Sequence, residues 1–198
     1  MKVNTKPQPG YRPKTFVSRL ILTGLLLGML AALPGCALVH HYDAITGKVV
    51  DLDTGEQIKG AAVHASYYTT FYNMIDPTSW YLNSQETLTD AKGEFVIPSQ
   101  FSFAFRPMNL FSHDVLFVIY KPGYGCLGIC SSARCGTTLE GDLKEGSINL
   151  VGLPKLKTKE ERRLSASCTP ADGDYPMLFE LLNQERVEIG IPPLPAPE

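Results

Sequence analysis

Apolar and polar positions alternate in short runs between residues 44 and 152, and clusters of turn-forming residues separate the runs. Ile45-Thr46-Gly47-Lys48-Val49-Val50 alternates and stops at Asp51-Leu52-Asp53-Thr54-Gly55. Ile58 to Tyr67 is a second extended run, and Glu86 to Leu88 a short third. Thr89-Asp90-Ala91-Lys92-Gly93 reads as a turn in which Gly93 takes positive φ with no Cβ to clash. Glu94-Phe95-Val96-Ile97 alternates again and Pro98 closes it. Val115 to Tyr120 is a β-branched and aromatic run ended by Lys121-Pro122-Gly123-Tyr124, and Ser147 to Val151 reads as a last strand. Short strands with no helices between them predict a mainly β fold, an antiparallel β-sandwich.

Beyond Leu153 the period changes to that of helices. Thr158-x-x-Glu161 is a capping box, opening a short helix from Lys159 to about Ala166. A second helix has Asp174 as its expected cap and Pro176 in its first turn. Leu178, Leu181 and Leu182 form its apolar stripe, and Gly190 and Pro192 stop it. The proline-rich tail from Ile191 reads as extended. This short helical appendage is expected to dock on the sandwich, because a helix of that length is marginal alone in water.

The other end is an address. Residues 1–19 are basic and polar, and Leu20 to Leu33 is an uncharged apolar run of 14 residues. As a helix that run reaches about 21 Å, short of the ~30 Å hydrocarbon core. A basic flank and a short apolar run form the pattern of a secretory signal. Leu33-Pro34-Gly35-Cys36 follows and resembles the lipobox of bacterial lipoproteins, although Pro34 departs from the usual choice. The resemblance implies that Cys36 takes a diacylglyceryl group and becomes the first residue of an acylated (palmitate-type) mature chain, anchored by several acyl chains together. Ala37, where an Asp would signal inner-membrane retention, implies the outer membrane in a Gram-negative host.

Charge and composition narrow the function classes. The chain has 198 residues, 44% hydrophobic and 19% charged, which is globular rather than disordered. Residues 1–35 hold Lys2, Lys6, Arg12, Lys14 and Arg19 and no acid. Residues 36–198 therefore carry 13 Lys and Arg against 20 Asp and Glu, a net charge of -7. That balance argues against a nucleic-acid partner, which needs a basic face.

Several motifs in order resemble the carboxypeptidase regulatory-like domain. They are Ile45-x-Gly47-x-Val49-Val50-Asp51, Thr54-Gly55-Glu56-x-Ile58-x-Gly60-Ala61-x-Val63, Thr89-Asp90-x-x-Gly93-x-Phe95-x-Ile97-Pro98 and Lys121-Pro122-Gly123-Tyr124. The resemblance spans about residues 43–124, with an outer bound at 151, and implies a prealbumin-like (Ig-like) sandwich, with no catalytic group in the pattern. It is the accessory domain that is resembled, not the peptidase. None of His40, His41, His64 and His113 is followed three residues later by Glu, and His-Glu-x-x-His, Gly-x-Ser-x-Gly and a phosphate-binding glycine loop are all absent from the sequence. Two stretches depart from the family: an aromatic-rich insertion from Tyr67 to Ser84, and a second between Pro98 and Val115 with Phe101, Phe103, Phe105, Phe111 and His113.

Four cysteines remain after Cys36: Cys126, Cys130, Cys135 and Cys168. An even count in an oxidising compartment predicts disulfides, with Cys168 reaching back to one of the other three. The rival metal site lacks the paired C-x2-C knuckles that zinc ribbons use. Trp80, with Tyr81 and Tyr72, is the candidate stacking surface for a glycan or partner; packing of the same aromatics into the core is the competing expectation. His40 and His41 are read as part of a solvated tether, and His64 and His113 as ordinary residues.

The expected organisation is a signal peptide at 1–35, a tether at 36–43, a β-sandwich at 44–152 and a helical segment with its tail at 153–198. The expected function is a lipid-anchored cell-envelope protein whose non-catalytic sandwich binds or scaffolds a protein partner. The alternatives are a glycan-binding module and an enzyme with a dispersed site. No cofactor and no metal are expected.

Overall fold

The computed structural model describes residues 23–25, 36–72, 76–107, 111–128, 134–139 and 148–195. Most of the stretch expected to be a signal peptide, residues 1–35, lies outside these residues. From residue 36 on, the described residues form these elements in order: β1 (Cys36–Tyr42), β2 (Ile45–Asp51), β3 (Ala62–Phe71), β4 (Thr78–Leu88), β5 (Glu94–Ile97), β6 (Gln100–Pro107), β7 (Phe111–Tyr120), β8 (Thr137–Thr138), β9 (Ile148–Leu153), α1 (Lys159–Ser165) and α2 (Pro176–Glu188).

The strands form three sheets, ordered β5-β2-β9-β8, β4-β3-β7 and β1-β6. All described pairings are antiparallel except β2 with β9, where Thr46 to Asp51 run alongside Ile148 to Leu153. The first two sheets face each other across one core. Ile45 and Val49 of β2, Phe95 and Ile97 of β5, and Val151 and Leu153 of β9 meet Val63, Ala65 and Tyr67 of β3 and Phe117 and Ile119 of β7. The fold is therefore a mainly β sandwich, and the alternation in β2 and β5 read from the sequence is the alternation of burial in the structure.

Two glycines show why the turns close as they do. Gly93 has φ of 72°, and a Cβ there would lie 2.5 Å from the Val49 carbonyl oxygen. Asp90 completes that turn, its side chain accepting from the Lys92 and Glu94 amides at 2.8 and 2.9 Å. Gly47 sits beneath the Phe95 ring and against the Asn149 carbonyl, so a side chain would clash with both.

Strand β3 has no solvent side except at its end: Ala62 to Thr70 are all buried. Its inner residues fill the core, and its outer face is covered by the C-terminal segment. There Ala62, Val118, Tyr120 and Cys126 pack against Cys168, Leu178 and Leu182, with Leu181 and Leu194 at the margin. A disulfide joins Cys126 to Cys168 across 42 residues, as the cysteine count predicts. Cys135 is also disulfide-bonded, and Cys130 lies outside the described residues.

The helices follow the sequence reading with one correction. Thr158 and Glu161 form the predicted capping box on α1. The end of α2 is a Schellman motif: Gly190, at φ of 73°, donates to the Val187 carbonyl and Ile191 to that of Arg186. Asp174, however, does not cap α2. The N-cap residue is Tyr175, with no side-chain bond to the helix. Glu86 of β4 takes that part, its carboxylate accepting from the amides of Met177 at 2.9 Å and Leu178 at 3.3 Å.

The two stretches read as insertions are strands. Tyr67 to Ser84 holds the far ends of β3 and β4, so Trp80 stands in a strand rather than a loop. Residues 100–107 form β6, which pairs with β1, so residues 36–42 are a strand rather than a tether.

Candidate functional site

The cover over the outer face of the β4-β3-β7 sheet is held by a buried polar clasp. His64 lies wholly buried, its Nε2 2.9 Å from Ser66 Oγ and its Nδ1 3.4 Å from Glu86 Oε1. Ser66 Oγ also reaches the Asp172 carbonyl at 3.4 Å, and Tyr68 donates to Asp172 Oδ2 at 3.1 Å. Burial, followed by the nearby Asp172 carboxylate, raises the Tyr68 phenol above its ordinary value. The serine, histidine and carboxylate have the composition of a nucleophilic relay. Ser66 is only 2% exposed, and Glu86 is engaged by two helix amides, so the same atoms serve to fasten the C-terminal segment onto the sheet.

A second clasp lies further along. Glu185 of α2 is 1% exposed and accepts from the Gly123 amide at 3.0 Å and from the Arg162 guanidinium, including Nη2 at 3.1 Å. Glu185 and Glu188 hydrogen-bond to Arg162 and raise its pKa. Tyr120, beneath this pair, has its hydroxyl buried, and burial together with the Glu185 charge pushes its pKa up.

The cover stops short. Past Ala171 and Asp172 the outer face opens into a groove of about 430 Å³ lined by Tyr68, Thr70, Tyr72, Pro77, Ser79, Asp114, Leu116 and those two cover residues. A smaller hollow of about 320 Å³ continues from it beneath Pro170, along Ser66 and Phe117 to Gly128. The groove offers an exposed phenol face at Tyr72, 57% exposed, and an apolar floor at Leu116, 55% exposed. Asp114 accepts from Ser112 at 2.9 Å, and Thr70 and Ser79 hydroxyls bond to each other at 2.9 Å.

Of the three predicted aromatics, the structure brings Tyr72 into the groove and Tyr81 to its margin, edge-on to Tyr68 at 5.9 Å. Trp80 pairs with Thr69 and belongs to the opposite face. The three therefore form no common stacking platform. Asp114, Leu116 and Asp172 were not among the sequence candidates. Asp114 and Leu116 share one face through strand alternation, but Asp172 joins them only through the fold of the C-terminal segment.

His40, read as part of a solvated tether, and His113, read as an ordinary residue, meet in the structure. Their rings stack at 3.6 Å, with the Tyr42 hydroxyl 3.3 Å from His113 Nδ1. Burial, and then the His40 charge, lower the His113 pKa. Among the described residues no cluster of three or more His, Cys, Asp or Glu is arranged to hold a metal ion. No helix among them is long and apolar enough to cross a membrane. Cys36 opens β1, opposite Pro107.

No family model and no curated protein sequence matches the chain. Among solved structures, the chain is similar to the C-terminal domain of the shaft pilin SpaA from Lactobacillus rhamnosus GG. The identity is 16%, over 59% of this chain and 99% of that domain, with a TM-score of 0.33.

Proposed function

We propose that this protein is a lipid-anchored component of a bacterial cell envelope, whose regulatory-like sandwich is a non-catalytic module that binds a protein partner in the outer-face groove. One observation carries the reading: the C-terminal cover leaves an accessible groove of about 430 Å³, with a mixed apolar, aromatic and acidic lining. A groove on a rigid sheet, with its wall fixed by a disulfide four residues upstream of Asp172, is pre-organised and costs little ordering on binding. Acylation of Cys36 places it at a membrane surface, in the outer membrane of a Gram-negative host.

A photo-crosslinking amino acid at position 116, introduced into the chain in its native host, tests this. The reading predicts one discrete protein adduct that depends on Cys36 and is lost with Cys36→Ala. The same group at position 96, on the exposed side of β5, should give none. No adduct at position 116 would sink the reading. Adducts to polysaccharide alone would replace it with the glycan-binding alternative.

A further inference from the structure

We infer that the outward face of the β1–β6 ribbon is a membrane-contact surface, which holds the sandwich against the lipid in which Cys36 is anchored. The inference rests on the reading of Cys36 as acylated.

The ribbon has two faces of different character. The register pairs Tyr42 with Gln100, His41 with Phe101, His40 with Ser102 and Val39 with Phe103. Alternation then places Tyr42, His40, Gln100 and Ser102 on one face, and His41 and Phe101 on the other. The first face is spent inside the protein: Tyr42 packs edge-on to Tyr67 at 4.7 Å, His40 stacks on His113, and Ser102 is buried. The second face is turned away from it. Phe101 is 63% exposed, and its nearest described ring is the exposed His41 at 4.6 Å. An exposed phenylalanine on a paired strand gains nothing in water, and its transfer into the acyl boundary favours the bound state by roughly tenfold or more.

The position of Cys36 supplies the occupant. Cys36 is the first residue of β1 and is already paired, opposite Pro107. No slack separates the acylated residue from the sheet, so the ribbon begins at the depth of the lipid headgroups. At about 3.3 Å per residue, the His41–Phe101 rung lies about 17 Å along the strand from the anchor. The remainder of the chain from residue 36 is acidic, so attraction to anionic lipid does not account for such seating; apolar contact and the acyl chains do.

Fluorescence depth measurements test the inference on the full acylated chain, reconstituted in vesicles of phosphatidylethanolamine and phosphatidylglycerol. In a Trp80→Phe background, Phe101→Trp reports the ribbon and Val96→Trp reports an equally exposed apolar site on β5, since Val96 is 58% exposed. Circular dichroism verifies that both variants fold. Brominated acyl chains should quench Trp at 101 at least twofold more than Trp at 96, with blue-shifted emission at 101 alone. Equal quenching at the two positions, with the acyl mass present, overturns the membrane-contact face and leaves the anchor reading intact. A mature chain whose intact mass lacks the acyl groups overturns both.

Discussion

Replacing Arg162 with Met removes one partner of a clasp whose other partner cannot reach water. Glu185 is 1% exposed, and the variant leaves its carboxylate with the Gly123 amide as its remaining donor. Breaking a fully buried pair in this way costs about 3–5 kcal/mol. The Arg162 side chain is 25% exposed, so solvent screens part of the interaction and about 2–3 kcal/mol is expected. Glu185→Met leaves the Gly123 amide unsatisfied, while Arg162 turns to Glu188, already 2.8 Å away, and to water; about 1–2 kcal/mol is expected. In the double variant no buried charge remains, and the loss should fall to about 1–2 kcal/mol, well below the sum of the singles. Urea denaturation with the disulfides intact, read by two probes to verify a two-state transition, gives all three values. A double variant equal to that sum within about 0.5 kcal/mol would refute the clasp as a coupled unit.

The disulfide and the Asp90 turn give two further expectations. Cys126→Ala with Cys168→Ala opens a loop closed across 42 residues, and the chain-entropy account expects a loss of about 4 kcal/mol in the same urea assay. A loss under about 1 kcal/mol would mean that the C-terminal cover is already fixed without the bond. The Glu94 amide, and then the Lys92 amide, hold the Asp90 carboxyl below its ordinary value of 3.8. A folded pKa below the unfolded one stabilises the protein above that value, and the gain is lost as pH falls through the lower, folded one. Asp90→Asn should therefore melt below the wild type by a constant margin from pH 5 to 8, with the margin closing below about pH 3.8. A margin that does not change with pH would refute the charge contribution.

What the sequence discloses depends on whether a strand has one wet face. β5 is Glu-Phe-Val-Ile with burial alternating residue by residue, and it reads correctly at sight. β3 reads as extended only as far as Tyr67, and its burial on both faces does not show, because His64, Ser66 and Thr70 are polar yet buried, made acceptable by partners on β4 and on the C-terminal segment. β1 and β6 were missed for a related reason. Among the described residues each pairs with the other alone, and His40 reads as solvated, like the exposed His41, until His113 is brought against it. Local capping was legible at Thr158, whose partner lies three residues away, and illegible at α2, whose acceptor sits 91 residues back on another strand. The groove shares that limit. Tyr72 was a visible candidate, but nothing local marks Asp172 as its opposite wall.

The parallel pairing of β2 with β9 governs the order in which the molecule can be completed. The Asn149 side chain bonds to the Thr46 carbonyl from 103 residues away, and every rung of that ladder is of similar reach. Until the chain beyond residue 148 is available, β2 has a neighbour on one side and a bare edge on the other, carrying Val49 and Val50. Contacts this distant slow folding, because the intervening chain must be ordered before they contribute. A chain cut short before β9 is thus an unfinished sheet with an adhesive edge, prone to pair with its own copies, and closure of the sandwich waits for β9 to be made.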